Sequence, residues 1–253
     1  MRQARTPVSR PKRPPNGRFL SSTWRSSRPS CILRQPRRHV VEHARRAFGP
    51  VLAVDDISLV ARPGLATIDE LLAAGAQPGR WSPFAVELES GAPGDLEAVR
   101  DSRAAVQDEG SQLLALALAA APVTPRSDGA PERWLDLCAG PGGKAGLLAA
   151  LALQQDADLV ANEVSEHRTE LVDRAVASLR EAGCEITTLT ADGTTIGAER
   201  PGEFSRVLAD VPCSGLGALR RRPEARWRRT PADVGQLGAI QRDLLTSALD
   251  ATA

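Results

Sequence analysis

No apolar run in this chain approaches the roughly 18–20 residues that a membrane-crossing helix needs. The longest, from Leu113 to Val123, is too short and follows a helix-like pattern. No Cys-x-x-Cys pair occurs among Cys31, Cys138, Cys184 and Cys213, which argues against a zinc site, and no metal is expected. Four scattered cysteines also exclude a disulfide framework, so a reduced, cytoplasmic compartment fits best. Nothing near the N-terminus has the apolar core of a secretory signal. His39, His43 and His167 have no sequence partners that suggest catalysis and read as surface or packing residues. No internal repeat is found.

Acidic residues are missing from positions 1–38, which carry eleven Arg and Lys; Glu42 is the first acid. The rest of the chain holds 21 basic against 31 acidic residues, so the formal charge of +1 conceals an asymmetry. A basic arm on an acidic body suggests contact with nucleic acid or a solvated leader. Residues 1–36 are expected to be disordered, because Pro, Arg and Ser supply too little apolar surface to offset ordering entropy. Pro7, Pro11, Pro14, Pro15, Pro29 and Pro36 would break the amphipathic helix of an organellar transit peptide.

What remains is enough for a small domain beside a medium one: 253 residues, 42% hydrophobic and 25% charged. A helix is expected around His39 to Ala47, then one or two short strands within Val51 to Val60. Thr67-Ile68-Asp69-Glu70 has the spacing of a capping box opening a helix through Ala74. Trp81 to Leu88 alternates like a strand, Gly91 to Gly94 is a turn, and Gln107 to Ala121 a helix. These predict a small α+β domain over 37–104. Over 105–253 the pattern becomes βαβ, with strands at Trp134–Cys138, Leu159–Asn162, Glu185–Thr190 and Arg206–Ala209. Helices are expected up to Leu153, from Ser165 to Ala182 and from Asp233 to Leu249. Such alternation calls for a parallel, doubly wound α/β sheet, whose ligands bind beyond the carboxyl ends of the strands.

The informative stretch is Leu135-Asp136-Leu137-Cys138-Ala139-Gly140-Pro141-Gly142-Gly143-Lys144. Glycines let the backbone approach a ligand and leave helix N-terminal amides free to donate. A phosphate-binding P-loop fails, because Cys138 stands where its first Gly belongs and Ala145 where Ser or Thr belongs. A dinucleotide fingerprint matches as Gly140-x-Gly142-x-x-Ala145 with Glu163 downstream. S-adenosylmethionine (SAM) is the third reading. Lys144 would meet its carboxylate and Glu163 its ribose hydroxyls.

This stretch resembles the first motif of the NOL1/NOP2/sun family of RNA cytosine-5 methyltransferases. Three further segments are similar in order and spacing: Val106 to Gln112, Ala161 to Arg168, and Ala209-Asp210-Val211-Pro212-Cys213-Ser214-Gly215-Leu216-Gly217. The Arg-rich run Leu219 to Arg229 is similar too, and the likeness spans roughly residues 39–253. It is most like the Sun/Fmu type, the bacterial enzymes that methylate 16S ribosomal RNA. Gly140 stands where Ala is common in the family, and Glu163 where Asp is common. The resemblance implies a Rossmann-like SAM-dependent methyltransferase domain preceded by a small RNA-binding-like domain. It implies that Cys138, Ala139, Gly140, Pro141, Gly142, Gly143 and Lys144 wrap the methionine part of SAM, and that Glu163 holds the ribose. Asp192 would bind near the adenine, or simply cap the turn before Gly193. Asp210 would lie beside the methionine and the target base, and Asp136 reads as a structural acid.

Carbon 5 of cytosine is a poor nucleophile. A thiolate adding at C6, with help at N3, makes an enamine whose C5 takes the methyl group; the C5 proton and then the thiol must leave. Asp210 is the candidate for N3, and Cys213 lies where the base should sit. The resembled family uses two cysteines, which makes Cys213 the residue aiding product release and places the attacking thiol beyond Ala253. Attack by Cys213 itself, as from the Pro-Cys of DNA cytosine methyltransferases, is the alternative. The resembled sheet has seven strands, whereas four are legible, so a C-terminally truncated or decayed chain is expected. Arg220, Arg221, Arg222, Arg226, Arg228 and Arg229 form a basic run able to bind RNA phosphates, and Trp227 could stack on an unpaired base. The competing assignment pairs these arginines with acids and buries Trp227. A catalytically inactive SAM- and RNA-binding remnant and a nicotinamide-dependent oxidoreductase stand as rival functions.

Overall fold

The computed structural model describes residues 57–126, 128–218, 227 and 230–253, all within one compact unit, Leu52–Ala253. The expected leader, the expected helix at 39–47 and the Arg-rich run apart from Trp227 lie outside the described residues.

Four short strands come first: β1 (Ile57–Ala61), β2 (Gln77–Pro78), β3 (Ala85–Leu88) and β4 (Ala104–Val106). They form an antiparallel sheet in the order β2-β3-β1-β4. Leu59 and Ala61 join Leu71, Val86 and Leu88 in one core, while Val60, pointing the other way, packs in the core of the second sheet. Helix α1 (Ile68–Ala73) starts where Thr67 Oγ1 accepts the Glu70 amide at 3.2 Å. The Glu70 carboxylate pairs instead with Arg103 at 2.5 Å, so only half of the expected capping box forms. The strand expected over Trp81 to Leu88 shortens to β3. The Glu109 carboxylate accepts the amides of Arg80 at 2.5 Å and Trp81 at 2.9 Å, and a turn at Ser82 follows. Helix α2 (Glu97–Arg100) precedes β4, and α3 (Glu109–Ala120) follows it. Gln112, wholly buried on α3, donates to the Leu59 and Gln107 carbonyls and so ties the helix to β1.

The second sheet is parallel and ordered β7-β6-β5-β8, from β5 (Arg133–Asp136), β6 (Asp158–Glu163), β7 (Ile186–Thr190) and β8 (Arg206–Leu208). Helices α4 (Gly143–Gln155) and α5 (Glu166–Glu181) cover one face, with Leu147, Leu148, Val172 and Val176 against Trp134 and Leu159. Helices α6 (Ile196–Glu199) and α7 (Pro231–Ala251) cover the other, where Leu244 and Ala248 meet Leu135, Val160 and Phe204. Gly197 lets α6 and α7 touch: a Cβ there would stand 2.3 Å from the Ser247 carbonyl oxygen.

Strand order reverses at β5, since β6 and β7 run out on one side and β8 returns on the other. That switch opens a crevice at the carboxyl ends of β5 and β8. Arg206 helps to hold the two strands in place. It is buried, donates to Glu132 at 2.7 Å and to the Leu118 and Ala121 carbonyls, and stacks 5.2 Å from the Trp134 ring centroid. Arg206→Leu removes one donor from Glu132, which keeps the Trp134 indole, and one from each of the Leu118 and Ala121 carbonyls. Urea unfolding should register a loss of about 3 kcal/mol, and an unchanged midpoint would contradict this role.

Candidate functional site

The chain leaves β5 through a loop stitched to its neighbours by backbone bonds. Leu137 donates to Leu208 at 2.9 Å, Ala139 to Asn162 at 2.8 Å, and Gly142 to Ala139 at 2.7 Å. Gly142 has φ +105°, and a Cβ there would lie 2.5 Å from that of Ala175, so both conformation and space demand glycine. Gly143 opens α4 with nothing within 4 Å of its Cβ direction. The first-turn amides of α4 have no intrahelical partner and form a donor set for a carboxylate or hydroxyl.

Glu163, at the end of β6, is 3% exposed and turned under this loop. It accepts the Gly140 amide through Oε2 and the Ser165 amide through Oε1, each at 3.1 Å, and Arg168 stands 3.4 Å from Oε2. Arg168 also donates to the Gly140 carbonyl at 2.5 Å. A Cβ on Gly140 would sit 2.3 Å from Glu163 Oε2, so the longer acid and the missing methyl belong together. Carboxylate oxygens have about four acceptor positions between them, which leaves capacity for a further donor.

A second acid group lies beneath the loop. Lys144 pairs with Asp210 at 2.7 Å, the acid being half-exposed. Asp136 is fully buried, and among the described residues neither of its oxygens closes a hydrogen bond. Burial, then the charge of Asp210, pushes its pKa up to about 7, although Lys144 and the Cys138 amide favour the ionised form. Burial and the nearby Asp136, Glu163 and Asp210 push the Cys138 thiol up to about 12, so it stays protonated. Asp192 lies past β7, and its Oδ1 accepts the Thr194 amide at 2.9 Å and hydroxyl at 2.8 Å, which lowers its pKa. It therefore does cap the turn.

Asp210 and Cys213 follow β8, and both are exposed. Gln241 of α7 donates to the Pro212 carbonyl at 2.8 Å, pinning the loop that carries Cys213. Cys138, Ala139, Gly140, Pro141, Gly142, Gly143, Lys144, Glu163 and Asp210 thus converge at the crevice, through the loop bonds and ion pairs described above. Asp192 is placed at the neighbouring strand end. Arg221, Arg222 and Arg226 lie outside the described residues, whereas Trp227 is 79% exposed and not a core residue.

Sequence reasoning assigned no role to Asn162, Arg168 or Gln241. Asn162 donates to the Leu137 and Ala191 carbonyls and joins the ends of β5 and β7. The segment Ala161 to Arg168 held two of these residues in plain view, but only the fold reveals what they reach. Among the described residues no cluster of His, Cys, Asp and Glu is arranged to hold a metal ion, and no helix is long and apolar enough to cross a membrane.

Two tests follow from this geometry. Gly140→Ala should lower the melting temperature, and Gly140→Ala with Glu163→Asp should recover much of the loss; equal melting of the single and double variants would exclude the coupling. For Asp136, the unfolded carboxyl ionises near pH 4 but the folded one only near pH 7. Between these values the folded chain binds more protons, so the wild type loses stability as pH rises, by about 4 kcal/mol in all. Asp136→Asn should show no such loss. Its advantage over the wild type should grow from pH 4 to 7 and then level off, and a pH-independent difference would contradict the burial argument.

A comparison with known proteins agrees with this architecture. A Mycobacterium tuberculosis protein named as a methyltransferase is 54% identical over 207 residues, covering 80% of this chain and 43% of that protein. This chain thus spans less than half the length of that relative. The crystal structure of PH0851 superposes with a TM-score of 0.69 at 22% identity, over 85% of this chain and 50% of that one. NSun6 from Pyrococcus horikoshii, crystallised with SFG, superposes with a TM-score of 0.53 at 20% identity, over 67% of this chain and 42% of that one. Both share the fold, a Rossmann-like sheet with helices on either face. The model of the 16S rRNA methyltransferase RsmB/F family matches residues 124–253, the whole parallel sheet with its loops, and the chain belongs to that family.

Proposed function

We propose that this chain binds SAM at the Cys138 to Lys144 loop and serves methylation of cytosine C5 in RNA, the substrate being 16S ribosomal RNA in the cytoplasm. The observation that carries the reading is the joining of loop, Glu163, Lys144 and Asp210 at the switch point of the sheet. The NSun6 neighbour holds SFG, a SAM analogue, on a similar fold, which supports the choice of cofactor. The residues fit such a ligand. Gly143 leaves the backbone bare for close approach, the α4 N-terminus and Lys144 suit a carboxylate, and Glu163 suits ribose hydroxyls.

SAM would supply the electrophilic methyl group; the side chains that follow bind and orient the reactants, and the thiol that adds at C6 is not one of them. Asp210 orients Lys144 through their 2.7 Å ion pair and, on a flipped-out cytosine, holds the proton at N3. Asp192 lies near the adenine end. Cys213, exposed and held by Gln241 through Pro212, serves product release. Trp227 offers a stacking surface, and Arg221, Arg222 and Arg226 offer phosphate contacts. The small domain preceding the sheet is the RNA-binding unit. A second reading, SAM and RNA binding without turnover, is favoured by the thiols: Cys138 is held protonated and Cys184 is buried against the Ala149 carbonyl. Cys213 is then the one accessible thiol among the described residues, whereas the proposed chemistry uses two.

Calorimetry of the full chain should detect SAM and no response to NAD. Lys144→Ala should weaken SAM at least about tenfold, or about 1.4 kcal/mol; unchanged affinity in a folded variant would refute this placement of the loop. With 16S RNA and labelled SAM, methyl transfer supports the enzyme, and SAM binding without transfer supports the second reading.

A further inference from the structure

A cleft of about 360 Å3 lies away from the Lys144 and Asp210 pair, between β4 and α5, touching the loop at Pro141. Two arginines line it. Arg62, just past β1, is 3% exposed, yet among the described residues its guanidinium makes a single hydrogen bond, from Nη1 to the Ser102 carbonyl at 2.8 Å. Its Nε is buried without a partner among the described residues. Burial depresses its pKa, to about 10, and among the described residues no carboxylate pairs with it. Asp101 pairs with Arg103 and Asp173 with Arg180. Arg174, exposed on α5, faces the same cleft and makes no ion pair among the described residues.

A buried cation without a counter-charge is costly, and such groups are normally paired. The fold nevertheless builds this one in. Gly146 clears the space, since a Cβ there would lie 2.5 Å from Arg62 Nη2. Ser102 holds the left-handed φ of +56°, unusual for a residue with a side chain, and its carbonyl accepts both Arg62 and the Ser178 hydroxyl, the latter at 2.9 Å. The lining also includes the apolar Val99, Val106 and Leu171, and Val106 is 56% exposed. Two guanidinium groups beside an apolar wall suit a phosphate carrying a sugar and base, and the volume is ample for one such unit.

We propose that the Arg62 and Arg174 cleft is a phosphate-binding subsite, taking one nucleotide of an RNA strand whose target base lies at the neighbouring crevice. The choice of RNA as occupant rests on the function proposed above, whereas the anion site itself does not.

The test has two arms on the full chain. In the first, inorganic phosphate is titrated while the Arg62 Nε–H resonance is followed by NMR. The wild type should shift saturably, and Arg174→Gln, an exposed change that spares folding, should weaken saturation at least about fivefold. Absence of a saturable shift overturns the site whatever RNA does. In the second arm, binding of a single-stranded RNA oligonucleotide is measured against salt. Arg62→Met and Arg174→Gln should each reduce the slope of log K against log salt by about 0.7, as expected for one lost phosphate contact, with SAM affinity unchanged. A phosphate shift with unaltered RNA slopes overturns the RNA assignment in favour of a free phosphate. A phosphate shift in a protein that binds no RNA overturns the proposed function while leaving the anion site standing.

Discussion

The site depends on one buried carboxylate. Glu163 ends β6, accepts the amides of Gly140 and Ser165, and draws in Arg168, which in turn holds the Gly140 carbonyl. These bonds fold the loop after β5 back over the neighbouring strand end, and so fix where Gly142 turns and α4 begins. Hydrogen bonds to charged groups are stronger than neutral ones, and this one carboxylate makes several. The same contacts dictate the absent side chain at Gly140, because Glu163 Oε2 occupies the space a methyl would need.

Around this anchor the charges are arranged unevenly. Lys144 pairs with Asp210, while Asp136 lies buried nearby, with neither oxygen closing a hydrogen bond among the described residues. A buried acid with a pKa near 7 costs stability at neutral pH and contributes nothing to packing that Asn would not. Burial, together with these acids, also keeps Cys138 protonated, which makes that cysteine a wall of the loop and not a nucleophile. Reactive sulfur in the crevice therefore means Cys213, which stands exposed beyond β8.

The parallel sheet was legible because its signals are local. Apolar strands, glycines at an obligatory positive φ and the lengths of the connecting helices lie in consecutive residues, and all four strands expected from 134 onward formed within one or two residues of their expected ends. The small sheet was less legible. Its Trp81 to Leu88 alternation was overridden by Glu109, a residue from a later element that captures the Arg80 and Trp81 amides. In the site, the loop residues could be named from glycine chemistry and resemblance, but Asn162, Arg168 and Gln241 act on backbone carbonyls distant in sequence. Arg62 is the extreme case. In the sequence it is one basic residue before a proline, and its lack of a counter-charge exists only once β1, α2 and α5 have closed around it.

The central claim is that the loop from Cys138 to Lys144, anchored by Glu163, is where this chain holds SAM. The most direct measurement is the amide NMR spectrum of the full chain as SAM is added. The account predicts saturable shifts concentrated at Gly140, Gly142, Gly143, Lys144 and Glu163, with the small sheet largely unmoved. Saturation without shifts in this loop, or no saturation at all in a folded protein, would contradict it.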